Sequence, residues 1–216
     1  MTQSKRHRYR IHFTKGDTLR FIGHLDLYRT WERTLRRARI PLTYSQGFNP
    51  RPKMNQSPAL PLGCTSECEA VDIWLEQELH PERILEDLRQ VAPQGLQIQS
   101  VKQVDLRAPS LQSQVIAVEY VVLLDPSPPL DDLQSSVQNV LEEKTILRKR
   151  RGREYDLRLL IEHLEIDHGE PEKPILRMIL SARQGATGRP EEAIASLGLD
   201  PTFASIHRTR LILDTE

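Results

Sequence analysis

The chain has 216 residues, 38% hydrophobic and 28% charged, enough for one large domain or two of about 100 residues, each with its own core. No stretch approaches the roughly 18 apolar residues of a membrane helix, the polar, basic start carries no apolar signal segment, and two cysteines, Cys64 and Cys68, give no disulfide framework. These features predict a cytoplasmic protein. The formal net charge of zero hides a segregation: residues 1–60 hold thirteen Lys and Arg against three acids, Asp17, Asp26 and Glu32, whereas residues 61–100 hold eight acids against two bases. A local field of that size and sign favours polyanions such as nucleic acid.

Residues 8–13 alternate, Tyr9, Ile11 and Phe13 against Arg8, Arg10 and His12, which predicts a half-buried strand. A helix follows from about His24 to Arg39, its apolar stripe made by Leu27, Tyr28, Trp31, Leu35 and Ala38, and Pro41 stops it. Residues 42–45 are expected to form a short strand before a Gly- and Pro-rich loop. Alternation places the next strand at 68–76. Pro81 opens a second helix carrying Ile84, Leu85, Leu88 and Val91, and residues 96–104 close the half as a strand.

After a linker at about 106–113, where Ala108-Pro109-Ser110 stands, the order repeats. A strand at 114–124 precedes a helix with Leu130, Leu133, Val137, Val140 and Leu141. Strands at 156–166 and 174–183 flank a turn at His168-Gly169-Glu170-Pro171; a short helix after Pro190 and a strand at 204–213 finish the chain. The expected fold is α+β: two tandem ferredoxin-like βαββαβ units, residues 1–107 and 113–216, with helices packed on antiparallel sheets. The halves share element order and no residue-level repeat.

Three segments carry candidate binding residues. On the first helix Arg29, Arg33 and Arg36 fall within about 60° of one another, with Arg37 beside them, opposite the apolar stripe. A row of guanidiniums suits phosphate oxygens; the alternative is a merely solvated face, although Glu32 is its sole acid for local pairing. In the loop that follows, Tyr44 and Phe48 offer rings for stacking, Gln46 and Asn49 offer base-edge hydrogen bonds, and Arg51 and Lys53 offer charge on a backbone stiffened by Pro50 and Pro52. Equally, those aromatics can fold back onto the core. Arg148, Lys149, Arg150, Arg151 and Arg153 concentrate five cations in six residues, a basic finger or a solvated loop.

The run Leu19-Arg20-Phe21-Ile22-Gly23-His24-Leu25-Asp26-Leu27, then Glu32-Arg33 and Leu35-Arg36-Arg37-Ala38, then Tyr44-Ser45-Gln46-Gly47-Phe48-Asn49-Pro50 with Pro52-Lys53, and finally Ala59-Leu60-Pro61-Leu62-Gly63 resembles the radical-SAM-linked protein family. Its members are found fused to, or encoded beside, B12-binding-type radical SAM proteins. The resemblance implies an RNA context and a radical SAM protein as partner in trans. The chain does not itself supply a radical SAM cluster: after Cys64 and Cys68 the third position of a CxxxCxxC motif is Val71, and two thiolates cannot hold the cluster with one iron open. No zinc-finger spacing accompanies these cysteines, and His163 and His168 around Asp167 straddle a strand end and a turn.

The expectation is therefore a non-catalytic protein without a cofactor that binds RNA, tRNA or rRNA, and presents it to the radical SAM enzyme. Two alternatives stand beside it. One is a metal-independent RNA-processing endonuclease of the CRISPR-like tandem ferredoxin type, with His24 beside Asp26 as general base, a fold-level analogy. The other is a module that docks on the radical SAM chain without touching RNA.

Overall fold

The computed structural model describes residues 6–170 and 173–214. It divides into two compact units, Met1–Gln114 and Val115–Glu216. In the first, β1 (His7–Lys15) is followed by helix α1 (His24–Arg37), a short β2 (Met54–Gln56), β3 (Thr65–Leu75), helix α2 (Pro81–Val91) and β4 (Leu96–Val104), and the unit ends on the one-turn helix α3 (Leu111–Gln114). β1 pairs antiparallel with β3 on one side and β4 on the other, and β2 adds to β3, giving the order β4-β1-β3-β2.

The alternation seen in the sequence decides which side the helices cover. Tyr9, Ile11 and Phe13 of β1, Val71, Ile73 and Leu75 of β3, and Leu96 and Ile98 of β4 form one buried face, closed by Leu27, Trp31 and Leu35 of α1 and Ile84 and Leu88 of α2. Phe13 meets Trp31 edge-to-face at 4.9 Å between ring centroids. Tyr28 and Ala38, at the margins of the expected stripe, are half-buried, and Thr34 is buried instead.

The other face departs from the sequence reading. Arg8 is 2% exposed and Asp72 0%. Asp72 accepts from the Arg8 Nη2 at 2.5 Å and from the Arg10 Nε at 2.8 Å. Arg8 also donates to the carbonyls of Ala108 and Pro109, and Arg10 to the Gln114 side chain. The segment predicted to be a linker therefore packs over the Arg8 end of the sheet, where β1 is buried on both faces rather than one. Lys15, 1% exposed, is likewise consumed by the carbonyls of Arg20 and Cys64. Three of the cations counted toward the N-terminal field are thus internal.

Two further expectations change. Residues 42–45 contribute isolated bridges, Leu42 to Leu75 and Tyr44 to Pro52, and the strand lies later, at β2. Where the chain turns into β4, Gly95 has φ +88 and its carbonyl accepts from the Gly16 amide at 2.8 Å. A Cβ there would stand 2.0 Å from the Thr18 hydroxyl and 2.9 Å from Leu19 Cγ. Gly95→Ala is expected to lower unfolding free energy by about 1–3 kcal/mol, read from urea denaturation.

The second unit runs β5 (Val115–Leu124), α4 (Leu130–Glu142), the hairpin β6 (Leu147–Arg150) and β7 (Arg153–Asp156), β8 (Ile161–Glu170), β9 (Lys173–Arg183), β10 (Ala186–Thr187), α5 (Pro190–Ser196) and β11 (Ala204–Leu213). The order β11-β5-β9-β8 is again wholly antiparallel. Leu133, Val137 and Val140 of α4 and Ala193 and Ile194 of α5 are buried. The strand expected at 156–166 is split: Asp156 ends β7, a turn of 3-10 helix occupies Arg158–Leu160, and β8 starts at Ile161. β8 also continues through the residues expected to turn, up to Glu170; Pro171 lies outside the described residues.

Candidate nucleic-acid interface

α1 forms because its core side is apolar at helical spacing, and its last turn places Arg36 and Arg37 where the helix dipole favours cations. Arg39, expected inside the helix, lies beyond it with φ 55. Arg29, Arg33, Arg36 and Arg37 are all exposed. Arg29 pairs with Asp26 at 3.2 Å. No acidic partner lies within 4 Å of Arg33, Arg36 or Arg37 among the described residues. A guanidinium without an acidic partner has no ion pair to break before it meets a phosphate.

The loop after α1 is a hairpin. The Lys53 amide donates to the Thr43 carbonyl at 2.8 Å, the Ser45 amide to the Arg51 carbonyl at 2.8 Å, and the Arg51 amide to the Ser45 hydroxyl at 3.0 Å. Its tip is Gln46-Gly47-Phe48-Asn49-Pro50, with Gly47 at φ 149, a conformation that favours glycine. Phe48 is 106% exposed, Tyr44 is 40% exposed, and Gln46, Asn49, Arg51 and Lys53 are exposed. The aromatic at the tip points outward and does not fold back onto the core. Tyr28 ties the hairpin to the helix by donating to the Pro52 carbonyl at 3.1 Å. Burial, and then the Glu32 carboxylate, raise the Tyr28 phenol above its ordinary value, while Arg51 opposes them. On the sheet side Lys53 sits 4.6 Å above the Trp74 ring.

In the second unit the basic run is ordered rather than a loose finger. β6 and β7 pair Arg148 with Tyr155, Lys149 with Glu154 and Arg150 with Arg153. The connecting Arg151 and Gly152 have φ 49 and 81, the left-handed pair of a two-residue hairpin turn. Arg150 is removed from the candidate phosphate ligands. It pairs with Glu192 at 2.5 Å, donates to the Thr187 carbonyl at 3.2 Å and lies 4.8 Å from the Tyr155 ring centroid, while Tyr155 also donates to Glu192. Lys149, Arg151 and Arg153 remain exposed, and Arg148 is half-buried.

Burial, then the hydrogen bond and charge of Glu192, raise the Tyr155 phenol above its usual 10.0, with Arg150 opposing. In Glu192→Gln the phenol is expected to titrate closer to its usual value, observed on the Tyr155 ring signals by NMR. An unmoved titration would show that Glu192 does not set the state of the Tyr155 phenol.

A family model matches residues 8–190, that of the family described as "Uncharacterized protein conserved in bacteria (DUF2344)". The chain belongs to the DUF2344 family. No curated protein matches it by sequence. In fold the DUF2344 chain is similar to a chain of a Cbf5-Nop10-Gar1 complex, with a TM-score of 0.50 and 13% identity over 94% of this chain and 48% of that one. A chain of the archaeal box H/ACA sRNP Nop10-Cbf5 complex aligns at 0.47 and 14%, over 94% and 48%. The chain spans about half the length of these structures, and at such identity the first likeness is one of fold alone. Among the described residues of this DUF2344 protein no helix is long and apolar enough to cross a membrane, and no three His, Cys, Asp or Glu side chains are grouped to hold a metal.

Two features of the DUF2344 chain escaped the sequence. Phe21, Leu25 and Leu62 are 69%, 73% and 66% exposed. The Gly63 amide donates to the Arg20 carbonyl at 2.9 Å, and the Arg20 guanidinium covers the Phe21 ring at 4.6 Å, which joins residues 20–21 to 62–63. Leu25 stands one turn before Arg29 on the outward side of α1. The sequence reading assigned these three residues no place, although the helical spacing that sets Leu25 beside Arg29 puts it off the apolar stripe. Second, His24 lines a cavity of about 10 Å³ with Lys15, Gln56, Ser57 and Glu69. Ser57 donates to Glu69 at 2.8 Å, and the Gln56 amide, 5% exposed, finds no partner for either of its atoms among the described residues. Such a space accepts about one water and no phosphodiester. His24 itself is half-buried, at the edge of that space.

Proposed function

We propose that this protein binds RNA through the first unit and presents it to a radical SAM enzyme acting in trans. The observation that carries the RNA half is the conjunction on one unit: three guanidiniums with no acidic partner among the described residues on the outward side of α1, beside a hairpin that Tyr28 anchors and that exposes Phe48. Arg33, Arg36 and Arg37 would bind backbone phosphates, with Arg29 exchanging Asp26 for one. Phe48 and Tyr44 would stack on unpaired bases, and Gln46, Asn49, Arg51 and Lys53 would grip the nucleotide between them. In the second unit Arg148, Lys149, Arg151 and Arg153 supply a further phosphate contact. The radical SAM partner enters from the resemblance of residues 19–63. We read each unit as a split βαββαβ, ferredoxin-like arrangement, supported by the same strand order in both.

Binding of the full-length protein to labelled single-stranded RNA and to tRNA fragments at 50 and 200 mM salt tests this. With four phosphate contacts the affinity should fall about fiftyfold between the two, from a log–log slope of about −0.7 per contact. Absence of RNA binding at 50 mM salt would sink the reading. The exposed Phe21, Leu25 and Leu62 favour one other: a docking module for the radical SAM chain, in which Leu25→Ser with Leu62→Ser abolishes partner binding while arginine substitutions leave it intact.

A further inference from the structure

A cleft of about 540 Å³ opens in the second unit between the β6–β7 hairpin and the end of β9 with β10, within the usual size range of small-ligand sites. Hydrogen bonds and an ion pair tie its walls together. Arg150 clasps the hairpin to the Thr187 carbonyl of β10 and to Glu192 at the first turn of α5. On the opposite side the Ser181 hydroxyl donates to the Ala186 carbonyl at 2.7 Å, and Ser181 accepts from the Gly188 amide at 2.9 Å, which fixes the return from β9 to β10.

The lining is apolar in one part and cationic in another. Leu159, 76% exposed on its 3-10 turn, contributes with Leu160 and Ala186 an apolar surface that water covers poorly. Arg153 shares the hairpin face of Arg150 and Tyr155, is exposed, and has no acidic partner within 4 Å among the described residues. Arg183 also lines the cleft, paired with Glu162 at 2.5 Å. Of the two acids present, Asp156 is spent on the amides of Ile146 and Arg158, and Glu154 stands across from Lys149 on the other hairpin face. The apolar part, Leu159, Leu160 and Ala186, is too short to cover a lipid chain, and an inorganic anion would leave Leu159 wet. A compact body with an apolar, planar part and one anionic group uses both.

The geometry points to this cleft as a site for a single nucleotide unit, its base against Leu159, Leu160 and Ala186 and its phosphate on Arg153. The inference rests on the RNA reading for the source of that unit alone: an unstacked nucleotide of a bound strand and a free nucleoside monophosphate offer the same chemistry.

Calorimetric titration of the full-length protein with uridine and adenosine 5′-monophosphates tests it. One saturable site is expected, with the matching nucleosides about tenfold weaker. Leu159→Asp, a change on the surface, should weaken both classes at least tenfold; Arg153→Ala should weaken the monophosphates about tenfold and the nucleosides not at all. Displacement of the monophosphate by single-stranded RNA would identify the unit as part of a bound strand, and undisturbed binding would assign the cleft to free nucleotides. No saturable binding of any nucleotide, or binding indifferent to both variants, overturns the proposal. RNA binding without mononucleotide binding would remove the cleft and keep the proposed function; mononucleotide binding without RNA binding would do the reverse.

Discussion

Asp72→Ala is expected to destabilise the first unit by about 3–5 kcal/mol, the cost of leaving buried cations without their counter-ion. Asp72 is fully buried between Arg8 and Arg10, and Arg8 has almost no access to water. The carbonyls of Ala108 and Pro109 still accept from Arg8, but dipoles do not replace a charge in a low-dielectric site. Because those carbonyls belong to the segment that packs over this end of the sheet, the same substitution should loosen residues 105–114 first, visible as accelerated amide exchange there. Urea denaturation gives the magnitude. A cycle combining Arg8→Met with Asp72→Ala should show coupling of about 1–3 kcal/mol, since the double variant leaves only the partly exposed Arg10 without its counter-ion. A loss within about 0.5 kcal/mol for Asp72→Ala would mean that water reaches the cluster and that the sheet is open on this side.

Replacing Arg33, Arg36 and Arg37 together by alanine should weaken RNA binding about 100-fold at 50 mM salt, at about 1 kcal/mol for each lost contact. It should also flatten the log–log salt dependence by about 2, three contacts at about 0.7 each. The loss should be uniform across RNA sequences, because phosphates carry no sequence. Stability should change by less than about 0.5 kcal/mol per site, as these side chains are exposed and have no acidic partner among the described residues. Changes at the hairpin tip should behave in the opposite manner: Phe48→Ala, Gln46→Ala or Asn49→Ala should shift base preference and leave the salt slope unaltered. A triple variant with an unchanged slope would place the phosphate contacts elsewhere and end the assignment of α1.

The sequence carried the two-unit element order well because each signal is local. Trp31 and Leu35 recur at helical spacing, Tyr9, Ile11 and Phe13 alternate, and Pro81 and Pro190 each open a helix. It failed where partners come from far along the chain. Arg8 and Arg10 look like the solvent side of a half-buried strand until Asp72 and the carbonyls of Ala108 and Pro109 are brought to them. The strand at 54–56 has no periodicity long enough to read and exists because β3 offers an edge at Val71–Ile73. Arg150 is indistinguishable from Lys149 in the basic run; Glu192, forty-two residues on, separates them. Phe21, Leu25 and Leu62, apolar yet exposed, were given no role by the sequence reading.

From the sequence alone follow the segregation of charge, the arginine row on one helix side and the order of helices and strands, since all three depend on neighbours within a few turns. Tertiary structure decided which cations remain available: Arg33, Arg36 and Arg37 stay in water, whereas Arg8, Arg10, Lys15 and Arg150 are spent on partners elsewhere in the chain. The physical reason is that a guanidinium's field is set by its distance to the nearest carboxylate and by the water around it, and chain folding fixes both.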